Sequence, residues 1–172
     1  MTRDPHKGHA ALRQGRWSQS GADYFLTVCT EKRRAGLDTT PIAGGNFHEM
    51  HAMQADGAWT VRCATVMPDH AHFLITLGKR LSLGRTLQRL KARTSARLRE
   101  NELRWERGFF DHQLRPDDEC QEVFLYIYLN PYRAGLITER RKWPHFYCRD
   151  EDWSWFSSYL DRDLPPPAWL VR

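Results

Sequence analysis

Apolar and polar positions alternate along much of the first half of the chain, and that period of two predicts strands. Tyr24-Phe25-Leu26-Thr27-Val28-Cys29 is an aromatic and β-branched run suited to a buried strand. Trp59–Met67 and His70–Leu77 form two more, and Pro68-Asp69 between them marks the tight turn of a hairpin. Helical spacing takes over after Ser82, a good N-cap, with Leu83, Leu87, Leu90 and Leu98 on one face. Phe109–Leu114 predicts a further strand, and Pro116-Asp117-Asp118 opens a second helix. That helix is expected to stop near Asn130-Pro131, because the residue before a proline disfavours helical geometry. Between Pro41 and Ala55 the pattern is ambiguous. Gly44-Gly45 weakens any helix that begins before Asn46, so one is placed over about Asn46–Ala55. Aromatic residues crowd the stretch from Trp143 to Tyr159, and Pro165-Pro166-Pro167 marks a non-helical end. Strands and helices interleave through hairpins, which predicts an α+β fold with an antiparallel sheet covered by helices. The expected organisation is a flexible basic arm over 1–20, one domain over 21–160 and a Pro-rich tail over 161–172.

Composition narrows the class. A chain of 172 residues with 41% hydrophobic content suffices for one domain whose core needs no covalent staples. No apolar run approaches a membrane span, and residues 1–20 lack the apolar centre of a secretory signal. A soluble, cytoplasmic protein with no membrane partner is expected. Cys29, Cys63, Cys120 and Cys148 are far apart in sequence with no C-x-x-C pair, which predicts buried reduced thiols rather than a zinc site. The net charge of +5 is unevenly distributed: ten Lys or Arg against three Glu lie between Lys79 and Arg107. Clustered Arg suits phosphate, because the guanidinium fork matches phosphate oxygens. Arg85, Arg89, Lys91, Arg93 and Arg97 on the first long helix, with Arg16 of the arm, are the candidate nucleic-acid contacts; a merely solvated basic helix is the alternative.

Candidate chemistry begins at His70-Ala71-His72. On a strand these histidines share a face about 6.6 Å apart, close enough to hold one small cation, while Ala71, Phe73, Ile75 and Leu77 anchor the other face. Two surface or hydrogen-bonded histidines would give the same short motif. On the second helix Glu122, Tyr126 and Asn130 recur every four residues and form a polar stripe on an otherwise apolar, apparently buried helix. Such a stripe needs partners, which Tyr126 and Asn130 can supply to each other. It also permits chemistry. A tyrosine hydroxyl can attack a phosphodiester, but a free phenol is only about one part in a thousand ionised at neutral pH. A divalent cation on His70 and His72 would assist by stabilising charge on the phosphate. The Asn130 amide, one turn from Tyr126, is a third candidate ligand, a neutral oxygen donor that Mg²⁺ and Mn²⁺ accept. Its competing role is to cap the helix end.

Three passages resemble the single-tyrosine HUH transposases, and more closely the REP-associated tyrosine transposases of bacteria: Val66-Met67-Pro68-Asp69-His70-Ala71-His72-Phe73, then Tyr126-Ile127-Tyr128-Leu129-Asn130-Pro131-Tyr132-Arg133-Ala134-Gly135-Leu136, and Trp155-Phe156-Ser157-Ser158-Tyr159. The resemblance implies a ferredoxin-like antiparallel sheet with helices and Mg²⁺ or Mn²⁺ on His70 and His72. It also implies Tyr126, rather than Tyr128 or Tyr132, as nucleophile. The implied activity is cleavage and rejoining of single-stranded DNA at short palindromic, REP-like hairpins, by a monomer or homodimer associated with the nucleoid. Ala71 and Tyr132 depart from the family pattern, where a bulkier apolar residue and a smaller aliphatic one are usual. A basic nucleic-acid-binding module without catalysis is the competing function. A histidine-triad hydrolase fits less well, because Leu74 stands where a third alternating histidine is needed, and a zinc hydrolase would want more strong ligands nearby.

Overall fold

The computed structural model describes residues 18–115, 120–166, 168 and 170. Among these residues the strands and α-helices are nine, in order: β1 (Asp23–Cys29), α1 (Thr40–Ala55), β2 (Trp59–Val66), β3 (His70–Leu77), α2 (Leu83–Glu100), β4 (Phe110–Gln113), α3 (Cys120–Arg133), β5 (Phe146–Cys148) and α4 (Asp150–Phe156). The strands form one sheet in the order β4-β1-β3-β2-β5, with antiparallel neighbours throughout. This is the expected α+β, ferredoxin-like arrangement, with helices on both faces. Alternation along the strands sorts the two cores. Tyr24, Leu26 and Val28 of β1 and Ala71, Phe73, Ile75 and Leu77 of β3 join α1 and α2 in one core. Leu74 of β3 and Cys63 of β2 join Phe124, Ile127, Tyr128 and Phe156 in the other, with Phe25 of β1 packed at its edge. His70 and His72 have the parity of Leu74 and therefore face the α3 layer.

Helix α1 begins at Thr40, ahead of the expected start, and runs through Gly44-Gly45. Pro41 in its first turn costs no hydrogen bond there. Gly45 is retained for packing: a Cβ at that position would run into the Arg97 side chain of α2. Helix α3 likewise continues past Asn130 to Arg133 with Pro131 inside its last turn. A terminal proline leaves one carbonyl unpaired rather than breaking the helix in two. The end is closed by Leu136 N–H donating to Pro131 O and Gly135 N–H to Tyr132 O, both at 3.0 Å, with Gly135 at φ +70°. Helix α2 starts as expected, with Ser82 Oγ accepting from the Arg85 N–H at 3.4 Å. The proposed opening of the second helix at Pro116-Asp117-Asp118, residues 1–17 of the arm and part of the Pro-rich tail lie outside the described residues.

The aromatic tail folds into β5 and α4, elements its pattern did not announce. Phe146, Trp153, Trp155 and Phe156 pack with Phe124 and Tyr128 under α3, so these rings build the second core. The tail also settles the cysteines. Cys63 and Cys148 sit opposite each other across β2 and β5, all four cysteines are free, and Cys63 alone is fully buried.

An irregularity in β2 ties these layers together. Its register against β3 shifts between Val61 and Cys63, so Arg62 is the extra residue and the core-facing set changes from Trp59 and Val61 to Ala64 and Val66. The bulge aims the Arg62 guanidinium at Asp23 of β1 (2.6 Å) and at Asp152 of α4 (2.7 Å), with its charge over the Phe124 ring at 5.4 Å. Asp152 is only 2% exposed and is shared with Arg149. Arg62→Leu should lower stability by about 3 kcal/mol, because it leaves part of a buried carboxylate unpaired. Thermal denaturation followed by circular dichroism measures this, and an unchanged melting temperature would contradict the role.

Candidate metal and nucleophile site

The hairpin turn fixes where β3 begins. Met67 N–H donates to His70 O at 2.8 Å, while Pro68 O accepts from the N–H groups of Gly36 and Leu37 and Asp69 O from that of Thr30. His70 and His72 then leave the strand on one face with their Nε2 atoms 3.1 Å apart. Their other nitrogens are held from behind. Asp69 Oδ1 lies 2.6 Å from His70 Nδ1, and Thr27 Oγ1 of β1 lies 2.9 Å from His72 Nδ1. Asp69 Oδ1 can only accept, and its 2.6 Å contact is much shorter than the 3.3 Å from the Arg33 Nη2 donor to the same atom, so His70 carries its proton on Nδ1. The Asn130 amide nitrogen lies 3.2 Å from His72 Nε2 and donates to it, which puts the His72 proton on Nδ1 as well, toward Thr27.

Two unprotonated Nε2 lone pairs thus face each other, an arrangement that a shared cation relieves. Burial, reinforced by His70 and by the Arg33 cation, pushes the His72 pKa down to about 3. Burial also lowers that of His70, opposed by Asp69 and aided by Arg33. Both rings are therefore held as neutral ligands. A half-turn of the Asn130 amide exchanges its donor for its oxygen and completes a set of two imidazoles and one carbonyl. The chemistry of this donor set fits Mg²⁺ or Mn²⁺ with positions left open. Among the described residues no three His, Cys, Asp or Glu side chains are grouped so as to hold a metal ion.

Three tyrosines ride on α3, and the structure separates them. Tyr128 is buried, its hydroxyl donates to Asp163 O at 2.9 Å, and burial raises its pKa. Tyr132 is buried too and donates to Arg141 O at 2.9 Å. Tyr126 is 45% exposed, has no hydrogen-bond partner among the described residues, and stands edge-on to His72 (5.2 Å between ring centres) and to Phe25 (5.6 Å). The stripe of Glu122, Tyr126 and Asn130 is consequently not a buried one. Glu122 and Tyr126 are exposed and Asn130 is half-buried, whereas Phe124, Ile127, Tyr128 and Leu129 form the buried side of α3.

The His70–His72 pair and the Tyr126–Asn130 pair, distant from each other in sequence, are thus brought together around the His72 ring. The candidate nucleic-acid contacts do not join them. Helix α2 lies across the sheet from the histidines, with Arg89 paired to Asp56, Arg93 to Glu49, and Lys91 Nζ donating to Glu106 O and Gly108 O. Arg85 and Arg97 remain without an ion pair among the described residues, and Arg16 lies outside them. Two neighbours of the site escaped sequence reasoning. Thr27 is visible only once β1 pairs with β3, Thr27 facing His72. Arg33 bonds Asp69 Oδ2 through Nε at 2.8 Å and holds the carboxylate against His70. Its basic turn, Lys32-Arg33-Arg34, was the available signal; Lys32 and Arg33 both adopt positive φ (54° and 55°) to deliver it.

A sheet with two strand-borne histidines facing a helix-borne tyrosine defines a class, and the family comparison agrees: residues 18–127 match the model described as Transposase IS200 like, and the chain belongs to that family of DNA-processing enzymes. Among curated proteins it is similar to the REP-associated tyrosine transposase of Escherichia coli strain K12, at 27% identity over 156 residues, covering 90% of this chain and 88% of the relative. A putative REP-associated tyrosine transposase of Haemophilus influenzae is 26% identical over 157 residues, covering 88% of that protein. A solved REP-associated tyrosine transposase bound to a REP hairpin shares the fold, with a TM-score of 0.66 at 23% identity over 77% of this chain and 79% of that one. Among the described residues no helix is long and apolar enough to cross a membrane.

The hydrogen bond that Thr27 Oγ1 accepts from His72 Nδ1 should govern the His72 tautomer. Two-bond ¹⁵N–¹H correlation spectra at pH 7 should show His72 neutral and protonated on Nδ1. In Thr27→Val that preference should weaken, whereas His70, held by Asp69, keeps its tautomer. An unchanged His72 pattern would remove Thr27 from this role.

Proposed function

We propose that this chain cleaves and rejoins single-stranded DNA at short palindromic hairpins through a covalent phosphotyrosine intermediate, with Tyr126 as nucleophile. The observation that carries the reading is the separation of the three α3 tyrosines. Tyr128 and Tyr132 donate to the backbone carbonyls of Asp163 and Arg141, while Tyr126, its hydroxyl unpartnered among the described residues, sets its ring against His72, whose Nε2 lies 3.1 Å from that of His70. In the proposed step the Tyr126 oxygen forms a bond to the scissile phosphorus as the bond from phosphorus to a sugar oxygen breaks. The phenol gives up its proton to water and the departing sugar oxygen takes one up. Attack by a sugar hydroxyl on the phosphotyrosine reverses the step and rejoins a strand.

His70 Nε2, His72 Nε2 and the Asn130 oxygen would hold Mg²⁺ or Mn²⁺. Such a cation, when bound, supplies positive charge to the phosphate. This neutral ligand set leaves that charge undiminished, at the expense of affinity. Asp69 and Arg33 orient His70, and Thr27 orients His72. The hairpin as substrate rests on the names of the relatives and on the basic character of the chain. Arg16 and the α2 cations Arg85, Arg89, Lys91, Arg93 and Arg97 act in this reading at a distance from the cleaved bond. They contribute the salt-sensitive attraction of a polyanion rather than contact with the reacting phosphate.

Tyr126→Phe should bind a labelled hairpin oligonucleotide normally yet yield no adduct that survives denaturing electrophoresis. An adduct lost in Tyr128→Phe and kept in Tyr126→Phe would overturn the assignment. Binding without any adduct from the unaltered chain would favour a nucleic-acid-binding module.

Asn130→Ala should raise the Mn²⁺ concentration for half-maximal cleavage by about tenfold or more, with little change in melting temperature. A large fall in melting temperature at an unchanged metal requirement would assign Asn130 to the helix end instead.

A further inference from the structure

Edge strand β4 places a second exposed ring beside the site. Phe110 pairs in register with Thr27, and Thr27 with His72, so all three share the face that α3 leaves open. Two strand spacings separate Phe110 from His72, about 10 Å between backbones and within the span of a nucleotide. Phe110 is 47% exposed, and the largest exposed apolar side chains include it and Tyr126. Both lean edge-on against Phe25, Phe110 at 6.1 Å and Tyr126 at 5.6 Å between ring centres, while Phe25 itself stacks on His72 at 5.4 Å. The half-buried Phe25 thus props up two rings, one at each side of the histidines, each with a face toward solvent. An exposed phenylalanine on an edge strand is a liability for solubility and invites unwanted strand pairing. Packing does not account for it, since Phe110 belongs to neither core.

The connector leading into β4 is also built for a polyanion. Lys91 of α2 fixes it by donating to Glu106 O at 2.7 Å and Gly108 O at 2.6 Å. Arg104 and Arg107, exposed on the same connector, have no ion pair among the described residues. The anchored backbone therefore carries two guanidinium groups, which share a cleft with Lys91, Ser95 and Arg99 of α2, and then leads to a bare ring beside the histidines.

We propose that Phe110 is a base-stacking residue: it receives the unpaired base next to the phosphodiester that Tyr126 attacks. This rests on the function proposed above and deepens it, because it makes an unpaired flank, rather than the duplex stem, the part of the substrate read beside the cut. A duplex holds its bases in its own stack and offers no face to Phe110, whereas an unpaired base of any identity does. Stacking here would position the strand rather than take part in bond exchange.

The test uses the full chain and hairpin oligonucleotides carrying 2-aminopurine or an abasic residue at successive positions of the single-stranded flank. One position should show strong 2-aminopurine quenching in the unaltered protein, lost in Phe110→Leu and restored in Phe110→Trp. An abasic residue at that position should weaken binding about tenfold in the unaltered protein and leave Phe110→Leu nearly unaffected. Far-ultraviolet circular dichroism should report the same fold for all three proteins. Equal responses of Phe110→Leu and the unaltered chain at every flank position, with the Tyr126 adduct still formed, would overturn the stacking role alone. Phe110-dependent quenching without any adduct would uphold stacking and overturn the catalytic reading. Loss of both signals from the unaltered chain would overturn both.

Discussion

The register of β3 between β1 and β2 is the constraint on which the rest of the structure depends. Ala71, Phe73, Ile75 and Leu77 are almost fully buried on one side of the strand. A slip of one residue would move that set off the α1–α2 core and drive two histidines into it, so burial selects the face that carries the imidazoles. The pairing of β1 then follows and delivers Thr27 to His72 and Phe110 to Thr27. The chemistry thus inherits its geometry from hydrophobic burial on the opposite face of the sheet.

Electrostatics complete what packing begins. His72 is neutral because it is buried and because His70 and Arg33 disfavour a further positive charge. Asp69 lies behind His70, on the side away from the converging nitrogens, and its second oxygen is bonded to Arg33. The carboxylate therefore orients the ring without neutralising the point the rings face. On the far side of the sheet, Glu49 of α1 and Asp56 at its end pair with two of the six cations of α2, Arg93 and Arg89. The basic helix that stands out in the sequence is thus partly a device for joining two helices.

Much of this was legible in the chain. The hairpin, the parity of its second strand, the Ser82 cap and the four-residue spacing of Tyr126 and Asn130 are local patterns, and local patterns survive folding. What was not legible depends on contacts between distant residues. Gly44-Gly45 weakens a helix until Arg97 is known to lie across it. Pro131 ends a helix in the abstract and is tolerated here because Gly135 closes the turn beyond it. The aromatic tail gave no period because β5 and α4 are short and their rings answer to Phe124 and Tyr128 rather than to one another in sequence. The register shift at Arg62 leaves no mark in the sequence beyond an arginine in an apolar run. Its purpose appears only when Asp23 and Asp152 arrive beside it.

Tyr126 and Asn130 stand one turn apart on a helix packed by Phe124, Ile127 and Leu129 and closed by Gly135. They therefore move as a single lever. Any tilt of α3 that carries the phenol away from the histidines carries the amide away with it. On the proposed reading, attack and metal grip engage and disengage together, and no stable posture keeps a fully gripped ion while the tyrosine is withdrawn. On that reading a water molecule taking the place of the withdrawn tyrosine would meet an ion that has lost its amide ligand, which would disfavour plain hydrolysis.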